Sequence, residues 1–230
     1  MKIPFSVYDF FGYLASGFLI LCSADYAFDG EWILRKDLWT VHAVFWTLLA
    51  YIIGHIVANI SSFLLEYKFL REILISPEET LFDEQKRGGF WPGIFPIFYR
   101  PFPTETKRRV LERARTAGIE RPGRGLFFHC LPLAMQHSHT LERLSTFLNL
   151  YGFSRNISMA ALLTVPILIV GMISTGFDEY KLYWIIVAIS VFIGMFYRYL
   201  KFFKHYTEEV FRSYAELPEL SNKTEKGGSL

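Results

Sequence analysis

The chain has 230 residues, 52% of them hydrophobic and 18% aromatic, with a mean hydropathy of +0.25, more apolar surface than a soluble domain of this size needs. A net charge of +2 excludes the overall basic or acidic character that marks a nucleic-acid binder or an enzyme of acidic substrates. The placement of the 24 Lys and Arg residues therefore carries the argument. Cys22 and Cys130 stand far apart with no CxxC spacing, so they read as free thiols in a reducing compartment rather than as a disulfide or a ligand pair.

In chain order, Lys2 and Pro4 precede an apolar run that could open a signal peptide, but Ser23-Ala24-Asp25-Tyr26 is a poor cleavage site and further apolar spans follow, which predicts a retained anchor. Crossing the bilayer takes about 20 apolar residues in a helix, and four windows come near that length. The first, about Val7 to Phe28, has Asp9 and Asp25 near its ends and is diluted by Gly12, Ser16 and Gly17. It is expected to span; as an interfacial helix it would leave three spans and put the termini on opposite sides. The second, about Leu38 to Leu65, has no charge after Leu38 until Glu66. The third, about Ile157 to Gly176, is uncharged and contains Pro166, where a kink is expected. The fourth, about Leu182 to Leu200, carries Arg198 near its end.

Between the second and third windows, residues 67 to 155 hold 14 Lys and Arg, and residues 197 to 230 hold 6. The loop at 29 to 37 holds only Arg35 and Lys36, and the turn near 178 to 181 only Lys181. The positive-inside rule then predicts both termini and the long segment in the cytoplasm, with four spans. The expected organisation is an all-α polytopic membrane protein: two transmembrane helices over 1–66, a basic helical insertion over 67–155, two transmembrane helices over 156–200 and a tail over 201–230.

Three short helices are predicted inside the insertion. Ser76-Pro77-Glu78-Glu79 has a cap, Pro at the first helical position and Glu in the first turn, giving a helix that ends near Gly88-Gly89. The stretch from Phe90 through Pro103 is too rich in proline for a helix or a central strand. Its aromatics, Trp91 and Phe95 among them, suit an interfacial belt or a docking surface. A basic helix over about Glu105 to Ala117, stopped by Gly118, carries Lys107, Arg108, Arg109, Arg113 and Arg115. These five cations fit anionic lipid headgroups or an acidic protein partner; a single short basic helix is no nucleic-acid-binding fold. A last helix, after Pro132, places Leu141, Leu144, Leu148 and Tyr151 on one face.

Gly54, Ala58 and Ser62 repeat at four-residue steps on the second span, with His55 and Asn59 beside them. Small residues let helices approach, and intramembrane His and Asn avoid lipid, so this face is expected to be buried by helix packing or oligomerisation, with a conducting surface as the alternative. Ser190 and Gly194 repeat the step on the fourth span. His129, His137 and His139 have no acidic or Cys companions at ligand spacing, so no metal is expected. No catalytic motif or paired carboxylate stands out, and no cofactor is implied.

Tyr151-Gly152-Phe153-Ser154-Arg155-Asn156, before the third span, and Arg198-Tyr199-Leu200-Lys201-Phe202, after the fourth, resemble short motifs in uncharacterised bacterial inner-membrane proteins, some encoded beside antiphage genes. The resemblance covers about a fifth of the chain and supplies no catalytic residues. It implies a membrane subunit of a bacterial complex. The span boundaries themselves place Arg155, Asn156 and Arg198 at the membrane edge. The expected role is a non-catalytic homo-oligomer that anchors or signals to a cytoplasmic protein, or perturbs the membrane. A small channel or transporter is the runner-up and a membrane enzyme third.

Overall fold

The structure is a computed structural model and describes residues 7–30, 32–33, 40–82, 90–136 and 138–217. Among these residues, eight α-helices and one π-helical stretch make up the regular structure: α1 (Val7–Ala27), α2 (Thr40–Ser61) continuing as a π-helix (Ser62–Leu74), α3 (Pro77–Thr80), α4 (Trp91–Ile94), α5 (Thr104–Thr116), α6 (Arg124–Ala134), α7 (Ser138–Thr175) and α8 (Glu179–Glu216). Four of these, α1, α2 with its continuation, α7 and α8, are long and apolar enough to cross a membrane. The protein is an all-α polytopic membrane protein.

Two boundaries expected from hydropathy are absent. The helix expected after Pro132 and the third span are one element, α7, of 38 residues, and the fourth span and the first part of the tail are another, α8, also of 38 residues. At 1.5 Å per residue each is about 57 Å long, nearly twice the hydrocarbon thickness. The excess of both lies at the same end, where α5 and α6 pack on α8. Helix α7 runs unbroken through Pro166.

The insertion also departs from expectation. Pro132 lies inside an additional helix, α6, near its end, and the helix expected after it begins at Ser138. The proline-rich stretch contains one helical turn, α4, with Pro92 in its first turn where a missing N–H costs nothing. Helix α3 has four residues; its expected end at Gly88-Gly89 lies outside the described residues. Helix α5 stops as expected: Gly118 takes a left-handed φ of +77°, and the N–H of Ile119 reaches back to the Ala114 carbonyl at 2.9 Å.

Three apolar clusters divide the length. At one end of the spans Ala27, Leu168 and Ile185 pack together. There the ammonium of Lys181, 2% exposed, donates to the Ala27 carbonyl at 3.1 Å and the Thr175 hydroxyl at 2.7 Å and pairs with Asp29 at 3.2 Å. Buried Asp25 accepts from the backbone N–H groups of Trp32 and Ile33 at 2.7 and 3.1 Å, which turns the chain out of α1. A middle cluster includes Leu65, Leu70, Leu74, Phe95, Phe98, Tyr99, Met159, Phe196 and Tyr199. The third joins α5, α6, the end of α3 and the far ends of α7 and α8 into one helical unit through Leu81, Phe82, Phe102, Val110, Leu126, Cys130, Leu144, Val210, Phe211 and Tyr214.

Helices α1 and α2 meet backbone to backbone. A Cβ at Gly54 would lie 1.9 Å from the Tyr13 carbonyl oxygen, and one at Gly17 1.7 Å from that of Ala50. Only glycine at both positions permits this crossing.

Candidate functional site

Where the spans meet the helical unit, a polar cluster joins α7 to the π-helical stretch. Glu66 is the first charge after the second apolar window, and Arg155 stands alone at the start of the third. Arg155 Nη1 donates to Glu66 Oε2 at 2.6 Å, and the side chains are 14% and 19% exposed. The Tyr151 hydroxyl donates to the same carboxylate, and Arg71 approaches its other oxygen at 3.4 Å. One carboxylate thus collects three donors from two elements. Beside it, the Ser61 hydroxyl lies 2.9 Å from Asn156 Oδ1. The Tyr199 hydroxyl, the Ser154 hydroxyl and Arg155 Nε are buried without a hydrogen-bond partner among the described residues. Tyr13, Tyr151, Arg155 and Asn156 line a cavity of about 150 Å³ between α1 and α7.

The proline-rich stretch is tied to α8 by its backbone carbonyls and to the π-helical stretch by the Tyr99 side chain. Lys204, nearly fully buried, donates to the carbonyls of Ile97 and Arg100 at 2.7 and 2.8 Å, and the Tyr197 hydroxyl donates to that of Ile94 at 2.7 Å. The Tyr99 hydroxyl donates to the Leu74 carbonyl, and burial pushes its pKa up to about 12. Proline removes backbone donors here and leaves carbonyls exposed for side chains to bind. Phe95, expected on a lipid- or partner-facing surface, is 7% exposed and packs edge-on against Phe196. Trp91 is half-buried beside Phe69. The large apolar side chains of the stretch that face outward are Phe90, 73% exposed, and Ile97.

On α5 the five cations are not equivalent. Arg108 and Arg109 both pair with Glu105 at 3.0 Å, and Arg108 also approaches Glu112 at 3.4 Å. Hydrogen bonds from these guanidinium groups hold the Glu105 carboxyl below its usual pKa. Arg113 turns inward, donating to the Leu217 carbonyl with its guanidinium over the Tyr214 ring. Arg115 is exposed and Lys107 is partly so. Val110 and Ala114 face the helical unit's core.

The remaining sequence candidates are dispersed. Gly54 and Ala58 are buried and Ser62 is partly buried, with Gly54 against α1 of the same chain. His55 stacks on Tyr13 at 4.1 Å between ring centres. Asn59 is instead exposed on the outward side of α2. Ser190 is exposed and bonds to the Ile186 carbonyl of its own helix at 2.9 Å; Gly194 is exposed with no atom near it. Arg198 is exposed with its guanidinium over Phe202. His129 packs edge-on against Tyr214, His139 is exposed, and His137 lies outside the described residues. Leu144 and Tyr151 are buried, but Leu141 and Leu148 of the same expected face are each 46% exposed.

The cluster around Glu66 was partly visible in sequence as the lone charges flanking two apolar windows. The backbone carbonyls that Lys204 and Lys181 bind carried no such signal, because those carbonyls are distant in sequence and any residue type can supply one. Compared with models of known families, with curated proteins and with solved structures, the chain matches none.

Proposed function

We propose that this chain is a non-catalytic subunit of a bacterial inner membrane, with both termini in the cytoplasm, that couples a cytoplasmic protein to the bilayer. The observation that carries this reading is the continuity of α7 and α8, each one uninterrupted helix from the apolar spans into the helical unit. A force or contact on α5 or α6 passes to the spans without a flexible linker. The Glu66–Arg155–Tyr151 cluster and the Lys204 bonds lock the same joint from the side. Orientation follows from the concentration of Lys and Arg in residues 67 to 155 and 197 to 230.

Homo-oligomerisation belongs to this reading. Asn59 stands outward between the exposed Ile56 and Phe63, and a primary amide facing hydrocarbon gains a partner when a second Asn59 pairs with it across two copies. The Gly54 position of the small-residue face is occupied by α1, so the intermolecular contact falls on the other side of the helix. The resemblance to proteins encoded beside antiphage genes suggests a defensive setting, in which the triggered partner makes the assembly perturb the membrane. Free charge on α5, chiefly Lys107 and Arg115, faces that partner or anionic headgroups.

Reporter fusions at residues 33, 110, 179 and 230 test the orientation: signals at 110 and 230 should be cytoplasmic and those at 33 and 179 periplasmic. A periplasmic signal at 110 overturns it. Changing Lys107, Arg108, Arg109 and Arg115 to Gln, sparing the inward Arg113, should preserve folding while a co-purifying protein, or binding to anionic vesicles, is lost. Retention of both removes α5 from the proposed role.

A further inference from the structure

The apolar run of α8 from Leu182 to Leu200 is about 28 Å long at 1.5 Å per residue, which fills the hydrocarbon layer. Buried Lys181 closes it at one end; Arg198 and Lys201, one helical turn apart and both exposed, close it at the other. The proline-rich stretch lies at that second boundary. The Tyr197 hydroxyl donates to the Ile94 carbonyl at 2.7 Å, Phe95 packs against Tyr197 with ring centres 5.1 Å apart, and Lys204 holds the carbonyls of Ile97 and Arg100. The exposed apolar side chains of the stretch, Phe90 and Ile97, therefore stand at the depth where acyl chains meet headgroups.

This corner carries charge of one sign. No carboxylate occurs on α8 between Glu179 and Glu208, and none occurs from Phe90 to Pro103. On the neighbouring π-helical stretch Glu66 and Glu72 are already paired, with Arg155 and Lys68. Arg198 rests over the Phe202 ring at 5.0 Å. Ser190 and Gly194 precede Arg198 at four-residue steps, on one ridge of the helix. Both are exposed, the Ser190 hydroxyl bonds back to its own helix, and no atom lies within 4 Å of a Cβ at Gly194. They leave a shallow channel that leads along α8 to the two cations.

The far end of α5 stands elsewhere. Arg113 lies over Tyr214, which is about 21 Å past Leu200 along α8. Even at a tilt of about 40° that is ~16 Å beyond the hydrocarbon, past a headgroup layer of about 5–8 Å by at least a screening length of ~8 Å. We propose that the corner between α8 and the proline-rich stretch binds an anionic phospholipid: Arg198 and Lys201 hold its phosphate, and an acyl chain lies in the channel over Gly194. The guanidinium offers a fork to the phosphate oxygens and the ammonium a point charge. The bilayer supplies this ligand at the depth of the cations, whereas free phosphate gains nothing from the channel. The assignment rests on the span boundaries, not on the coupling role or the orientation proposed above, and leaves the far end of α5 to the protein partner.

The full chain, delipidated in a neutral maltoside detergent, is offered equal amounts of phosphatidylglycerol and phosphatidylethanolamine with matched acyl chains, and retention is read by native mass spectrometry. Selective retention of phosphatidylglycerol is expected. Arg198→Gln with Lys201→Gln should lower it about thirty-fold, the joint effect of two basic residues at an anionic surface. Gly194→Leu, which fills the channel and keeps both cations, should lower it too. Changing Lys107, Arg108, Arg109 and Arg115 to Gln should leave it as in the native chain. Arg198, Lys201 and Gly194 are exposed, so their variants should fold, which melting in detergent checks. The proposal is overturned if the two lipids are retained equally, if either α8 variant keeps native retention, if the α5 variant loses it, or if inorganic phosphate binds the delipidated chain as tightly as the lipid.

Discussion

Replacing Gly54 with Ala puts a methyl carbon 1.9 Å from the Tyr13 carbonyl oxygen, and Gly17→Ala puts one 1.7 Å from that of Ala50. Ordinary contact begins near 3.4 Å, so α1 and α2 must part by about 1.5 Å at this crossing to accept either methyl. The obstacle is backbone in both cases and has no rotamer to change. Overpacking costs ~1–3 kcal/mol, and so rigid an obstacle places it near the upper end. The better helix propensity of Ala returns about 1 kcal/mol, which leaves a net loss of about 2 kcal/mol at each site. Because both glycines sit at one crossing, separation forced by the first methyl makes room for the second, and the double variant should lose less than the two singles together. Thermal unfolding in detergent, followed by tryptophan fluorescence, reads these differences. Gly194→Ala, with no atom within 4 Å of its Cβ, is the control and should be unchanged or slightly stabilised. Native stability in both single variants, or full additivity in the double, refutes the close crossing. A loss of particle mass at unchanged stability places the contact between copies instead.

Glu66→Gln leaves Arg155 partly buried without its counter-charge and should cost about 3 kcal/mol in the same melt. Pairing Glu66→Leu with Arg155→Met removes both charges and should recover most of that loss; a double variant no better than the singles means the ion pair is not the source. Burial pushes the Cys130 thiol up to about 12, so maleimide should label it at neutral pH only after denaturation. Labelling of the folded chain at the rate of a free thiol counts against the helical unit's core. The same shift has a sign. The folded pKa lies above the ordinary 9.0, so the folded chain keeps a proton that the unfolded chain releases. Cys130's contribution is complete below about pH 9 and lost as pH rises toward about 12, at no more than ~1.4 kcal/mol per pH unit. Cys130→Ala should show a shallower alkaline loss of stability than the native chain, measured by melting between pH 8 and pH 11; identical slopes reject the shift.

Hydropathy by itself determined the four apolar helices, because lipid demands a long uncharged run and this demand is local in sequence. Val7 to Phe28 was legible to within a residue of α1, and Gly118 correctly marked the end of α5, since a left-handed cap needs glycine whatever surrounds it. Continuity was not legible. Nothing local distinguishes a span that stops at Leu200 from one that runs on to Glu216, because the sequence beyond Leu200 is helix-forming either way, and what anchors the end of α8 is the packing of Val210, Phe211 and Tyr214 against α5 and α6. The Phe90 to Pro103 stretch was read from composition as surface, yet Phe95, Phe98 and Phe102 are core, since Lys204 and Tyr197 satisfy the carbonyls that proline leaves without ladder partners. Tertiary structure alone decided the partners of polar residues. Spacing put Gly54 and Asn59 near one another on α2, but only the position of α1 determines that Gly54 faces protein and Asn59 faces outward.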